Sequence, residues 1–249
     1  MLSVFCKPRE LPGSPLSPVG AKRRLLEHSS LIPEEEEYLQ QVLDSLYTSL
    51  PGRQHAYVTE HYLGGGANAI AYIESLTQGM ASDGDVSVFF KGTLEDNPEE
   101  LEDAQFILQE YKRCFDVGPG GGGETPVMDV LAQLRGPWAF VVYDRSHGRI
   151  VAARDAAGEE PLCWGTTLLS EGVLFSSDKA LLEGECADAD DFPPGAIYVS
   201  EDFSTVGQIT SYAADSAAAA AAAQQEALCR VESSSDLRKV PSVGQIEAN

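Results

Sequence analysis

Apolar positions along the chain fall into short blocks whose spacing switches between a period of two and a helical period. Leu2-Ser3-Val4-Phe5-Cys6 alternates apolar and small side chains until Lys7-Pro8 ends it, the pattern of a short strand. Residues 8–36 hold Pro8, Pro12, Pro15, Pro18 and Pro33 among several Ser and Gly. Such a stretch cannot build regular ladders and is expected to be a long loop insertion. Glu34–Glu37 then opens an acidic helix that reaches Leu50, with carboxylates where a helix N-terminus favours them. Strand-like runs follow at Ala56–Leu63, Asn68–Glu74 and Val86–Lys91, separated by Gly-rich or Asp-Gly turns.

Asn97 and Pro98 read as an N-cap and first helical position, after which Leu101, Ala104, Leu108, Tyr111 and Phe115 recur at helical spacing. Gly118-Pro119-Gly120-Gly121-Gly122-Gly123 breaks that helix. Thr125-Pro126 starts the next, which Gly136 ends. Trp138–Asp144 and Arg149–Asp155 are continuous apolar strands, joined by Arg145-Ser146-His147-Gly148, and their character calls for a sheet covered on both faces. Further strands are predicted at Val173–Ser176, Ala196–Ser200 and Val206–Tyr212, with a short helix from Asp178 to Glu183. Ala217–Ala223 favours helix but offers no large side chain to anchor it. From periodicity alone the result is one domain around a central antiparallel or mixed sheet, followed by a loosely held tail.

Charge changes this picture more than composition does. The 249 residues carry 17 Lys+Arg against 39 Asp+Glu, a net charge of −22, while 43% are hydrophobic. A core large enough to fold without staples is available. So acidic a chain repels a polyanion, so no nucleic-acid partner is expected. No apolar run approaches the roughly 20 residues that span a bilayer, and no secretory signal opens the chain. Five scattered cysteines (Cys6, Cys114, Cys163, Cys186, Cys229) include no CxxC pair, which suits free thiols in a reducing compartment. A cytoplasmic location is the expectation.

The obvious candidates for chemistry are empty. Gly64-Gly65-Gly66 and Gly118–Gly123 lack the Gly-Lys-Ser/Thr ending that would hold phosphates. His28, His55, His61 and His147 share no ligand spacing, so neither metal nor cofactor is expected. No local motif supports a Cys-His dyad.

One succession is specific. Leu134-Arg135-Gly136-Pro137-Trp138-Ala139-Phe140-Val141-Val142-Tyr143-Asp144 precedes Ala153-Arg154-Asp155-Ala156-Ala157-Gly158-Glu159-Glu160-Pro161-Leu162-Cys163-Trp164 and then Phe175-Ser176-Ser177-Asp178-Lys179-Ala180-Leu181. This order resembles the glutaminase domain of class II glutamine amidotransferases, in the asparagine-synthetase-like branch. Weaker likeness extends to Met1–Phe5, to the strand ending at Lys91-Gly92, and to Glu102-Asp103-Ala104-Gln105. The whole layout is most similar to plant aluminium-induced (stem-specific) proteins. The resemblance implies an α+β fold, the four-layered αββα sandwich of N-terminal-nucleophile hydrolases. The amidotransferase-like domain is expected over residues 1–212, with an Ala-rich helix and flexible tail over 213–249.

In the active family the nucleophile is a cysteine exposed by removal of Met1, and its α-amino group is the base. Here that position is Leu2, and the family's oxyanion-hole Asn is replaced by Lys91. Loss of one oxyanion donor costs about 10²–10³ in kcat. No stretch between Arg53 and Gly84 matches the family's glutamine-binding His-Arg-Gly-Pro-Asp segment. Gly92 and Asp103 remain at positions that contact glutamine in the family, and both also suit a turn glycine and a helix-start carboxylate. The expectation is a catalytically degenerate domain, a pseudoenzyme that binds an unidentified protein or small-molecule ligand, with a homodimer as one assembly. The alternative is a glutamine amidohydrolase activated by cleavage after Phe5, which would expose Cys6.

Overall fold

The computed structural model describes residues 1–6, 33–49, 58–63, 68–73, 75–95, 97, 101–115, 127–167, 172–201 and 207–213. Among them are strands β1 (Leu2–Cys6), β2 (Val58–Tyr62), β3 (Ala69–Ile73), β4 (Gln78–Asp83), β5 (Val86–Gly92) and β6 (Trp138–Asp144). The remaining strands are β7 (Arg149–Arg154), β8 (Cys163–Thr167), β9 (Gly172–Ser176), β10 (Cys186–Asp191), β11 (Ala196–Ser200) and β12 (Gln208–Ser211). The helices are α1 (Pro33–Ser49), α2 (Asp103–Phe115), α3 (Val127–Gln133) and α4 (Ala180–Glu183).

These strands form two six-stranded sheets rather than the single central sheet that periodicity suggests. One has the order β10-β8-β9-β1-β3-β2, the other β12-β11-β7-β6-β5-β4. Every described ladder is antiparallel. Side-chain alternation explains why two sheets stack. All seven residues of β6 are buried. Ala139, Val141 and Tyr143 face the other sheet with Phe5, Ile70, Phe89 and Phe175. Trp138, Phe140 and Val142 face outward, under Ile107, Leu108 and Tyr111 of α2 and Leu131 of α3. A strand that buries both faces needs a sheet on one side and helices on the other.

The first sheet is covered in the same way. Leu39, Val42, Leu43 and Leu46 recur every three or four residues along α1, and together with Leu181 and Leu182 of α4 they pack on Leu2, Ala69, Ala71 and Leu174. Helix, sheet, sheet, helix is therefore the layering, the αββα sandwich that the family resemblance implies. No helix among the described residues is long and apolar enough to cross a membrane.

Two local readings are corrected. Asn97 is not the cap of α2: that helix begins at Asp103, six residues on, and the Asn97 amide donates to the Leu101 carbonyl (2.6 Å) and to the Asp103 carboxylate (3.2 Å). Strands β4, β8 and β10 were not predicted. Two of them, Gln78–Asp83 and Cys186–Asp191, are polar edge strands whose existence depends on the neighbour each pairs with. Acidic side chains along β10 also suit an edge that must not pair further. Residues 7–32, the two glycine clusters at 64–66 and 118–123, His28, His55, and the tail from 214 lie outside the described residues.

Candidate functional site

Strand β1 lies at the centre of its sheet, with β9 on one side and β3 on the other. Met1, immediately before it, is clamped by the Phe175–Leu181 motif. The α-amino group of Met1 donates to Ser177 Oγ at 3.0 Å, while the Met1 carbonyl accepts from Ser176 Oγ at 3.0 Å and from the Ser177 amide. Ser176 Oγ also accepts from the Asp178 amide (3.0 Å), and Asp178 accepts from the Ala180 amide at the start of α4 (3.0 Å). Burial draws the pKa of the Met1 amine down to about 6, helped by Lys91 and opposed by Asp178. Leu2 is wholly buried in the outer layer against α1 and α4.

Lys91 occupies the inner face of β5, two residues from Phe89, and its ammonium forms an ion pair with Glu160 in which both side chains are largely buried. Glu160 is held by a loop built from the Arg154-Asp155 pair. The Arg154 guanidinium donates to the carbonyls of Gly158 (2.5 Å), Glu160 (2.6 Å) and Phe192 (3.0 Å). The Asp155 carboxylate accepts from the amides of Glu159 and Glu160, both at 2.9 Å. A charged lysine among apolar neighbours requires a carboxylate. That requirement was the available signal for Glu160, which sequence reasoning quoted as part of a motif without assigning it to the site.

The structure sets Asp103 against the chain that follows Gly92. Gly92 has φ +111°, and a Cβ there would lie 2.1 Å from the Pro137 carbonyl oxygen, so only glycine fits. Its amide donates to the Thr77 carbonyl at 2.7 Å, where the family uses this amide for the oxyanion. Asp103 accepts from the Leu94 amide (3.1 Å) as well as from Asn97, fixing the chain that follows Gly92. Cys6 is at the other end of β1, opposite Gly172 and about 13 Å along the strand from Leu2. His61 and His147 are separate, and no group of three or more metal-ligating residues exists among the described residues.

Residues 76–232 match the family described as aluminium-induced protein. The chain belongs to that family. Its domain is glutamine amidotransferase-like, as similarity to asparagine synthetases also indicates. Asparagine synthetase [glutamine-hydrolyzing] 1 of Saccharomyces cerevisiae is 37% identical over 136 residues, 53% of this chain and 23% of that protein. Asparagine synthetase [glutamine-hydrolyzing] 2 of Arabidopsis thaliana is 39% identical over 75 residues, 29% of this chain and 12% of that protein. The aluminium-induced family member thus spans less than a quarter of either relative's length. Among solved structures, the glutamine phosphoribosylpyrophosphate amidotransferase of B. subtilis aligns with a TM-score of 0.42 at 15% identity, covering 61% of this chain and 36% of that one.

Proposed function

We propose that this protein is a catalytically degenerate glutamine amidotransferase-like domain that works by binding a protein or small-molecule partner. The observation that carries the reading is the Lys91–Glu160 ion pair. In this reading a paired, flexible ammonium stands in for the rigid amide donor that the active family presents to the developing oxyanion. Two further features support it. The residue at the nucleophile position is Leu2, buried in the outer layer, and the Gly92 amide already has a backbone partner. Gly92 and Asp103, the two candidate glutamine contacts, act in this reading as the turn glycine and carboxylate that fix the loop after β5.

The alternative, activation by cleavage after Phe5, would delete Leu2 and Phe5 from two buried clusters and remove four of the five residues of a central strand. The new N-terminus would also start at the far end of β1 from Lys91 and Gly92. The deciding experiment is ammonia release from glutamine by the full-length protein, with the N-terminus verified by intact mass. The expected rate equals the enzyme-free blank. Steady release that disappears in Cys6→Ala would overturn the proposal in favour of the cleaved form.

A further inference from the structure

A cleft lies at the end of β5 away from Lys91. Strand β5 runs from Val86 to Gly92, so its first residue stands about 20 Å from the Lys91–Glu160 end. Beside that first residue the edge strands β2 and β4 leave a cleft of about 480 Å³, within the size range of small-molecule sites.

Its two walls are chemically distinct. On the β2 side, the His61 ring lies parallel to Tyr72, with centroids 5.9 Å apart and planes at 11°. Neither His61 nitrogen has a hydrogen-bond partner among the described residues. On the β4–β5 side, Arg145 donates through both Nε (2.9 Å) and Nη2 to one oxygen of Asp85, Oδ1. Arg145 Nη1 and Asp85 Oδ2 are left without hydrogen-bond partners among the described residues, a spare donor and a spare acceptor at this wall. Met80 and the Ser82–Ser87 hydroxyl pair complete this wall.

Charge narrows the ligand class. Arg145 and Asp85 neutralise each other, and Glu60, the other carboxylate at the cleft, accepts hydroxyl hydrogen bonds from Tyr47 and Tyr62. With the chain at −22 overall, a phosphorylated ligand is repelled. What remains favourable is a flat ring that stacks on His61 from the cleft side, opposite Tyr72, and carries an acceptor for Arg145 and a donor for Asp85.

We propose that this cleft binds an uncharged, planar nitrogen heterocycle of the nucleobase or nucleoside type, stacked on His61, with Arg145 Nη1 donating to its edge and Asp85 Oδ2 accepting from it. Stacking of a base on an aromatic side chain is worth about a fivefold or larger factor in affinity. The site does not depend on the state of the Lys91–Glu160 end.

Titration calorimetry of the full-length protein with adenosine, guanosine and uridine tests the assignment, with AMP and free glycine as controls. At least one nucleoside should saturate the protein below about 10 mM. His61→Ala should weaken that nucleoside about fivefold or more, and His61→Phe, which keeps the stack, should hold it within about twofold. Both substitutions lie on an edge strand, and circular dichroism confirms that each variant is folded. The proposal is overturned if no nucleoside saturates or if AMP binds more tightly than adenosine. Saturation by glycine in place of the nucleosides, or undiminished binding by folded His61→Ala, overturns it equally.

Discussion

Truncating Phe5 to alanine probes whether β1 is an indispensable part of the core. The ring is 1% exposed, stacks on Tyr143 with centroids 5.5 Å apart, and meets Phe175 edge-on at 6.2 Å. A buried phenylalanine removes about 150–200 Å² from water, worth about 4–5 kcal/mol at 25 cal/mol per Å² and somewhat less once residual burial in the unfolded chain is counted. The cavity left between the two sheets adds to the loss, and Phe→Ala changes of this kind cost about 3–5 kcal/mol. Deleting residues 1–5 also removes Leu2, worth a further 2–5 kcal/mol or so, against a total stability of about 5–15 kcal/mol for a typical domain. Phe5→Ala should therefore fold with stability lowered by about 4 kcal/mol, while a chain beginning at Cys6 should not fold cooperatively. Urea unfolding followed by Trp138 and Trp164 fluorescence measures both. A loss below about 1 kcal/mol for Phe5→Ala, or a cooperative transition in the shortened chain, would refute the placement of β1 and revive cleavage as a route to an active form.

Three further outcomes are expected. Lys91→Asn restores the family's amide but leaves Glu160 half-buried and unpaired, so stability should fall by about 1–3 kcal/mol while glutamine hydrolysis stays at blank; measurable ammonia release would contradict it. Burial alone would raise the Asp144 pKa, but hydrogen bonds from Ser146, His147 and Tyr111 outweigh it and hold the carboxyl below its ordinary 3.8. Its contribution is thus complete above pH 3.8 and lost as pH falls through the lower folded-state value, so Asp144→Asn should destabilise at neutral pH and flatten acid unfolding. Equal acid sensitivity in both proteins would count against that. A chain ending at Asp215 should melt within a few degrees of the full-length protein, because the ring of Tyr212 stacks on Trp138 and its hydroxyl bonds the Arg154 carbonyl; precipitation or a far lower Tm would make the tail structural.

Much of the fold was legible because the inner strands carry their assignment in their own side chains. Trp138–Asp144, Ala196–Ser200 and Leu2–Cys6 begin and end where the pattern places them. The edge strands do not carry such a signal. Gln78–Asp83 has Met80 as its one large apolar residue, and it exists because Val86–Lys91 offers it a ladder. The same pattern cannot choose between one sheet and two. Both arrangements satisfy a strand covered on both faces, and the difference is made by long-range pairings such as Leu2 with Ser176 and Ala71.

The residues that made the family recognisable are mostly residues that hold backbone. Arg154 and Asp155 spend their polar atoms on loop carbonyls and amides, and Ser176 and Asp178 do the same at the start of β1 and α4. Each such contact replaces a water hydrogen bond for a buried backbone group that would otherwise be left unsatisfied, so these side chains serve the fold whatever reaction it hosts. The positions that the proposed function ties to glutamine chemistry, Leu2 and Lys91, lie outside those three motifs. Strong likeness across residues 134–181 is therefore compatible with the altered chemistry proposed for the amine-bearing end. The likeness follows the scaffold, while the proposed loss of reactivity rests on Leu2, Lys91 and the carboxylate that pairs with Lys91.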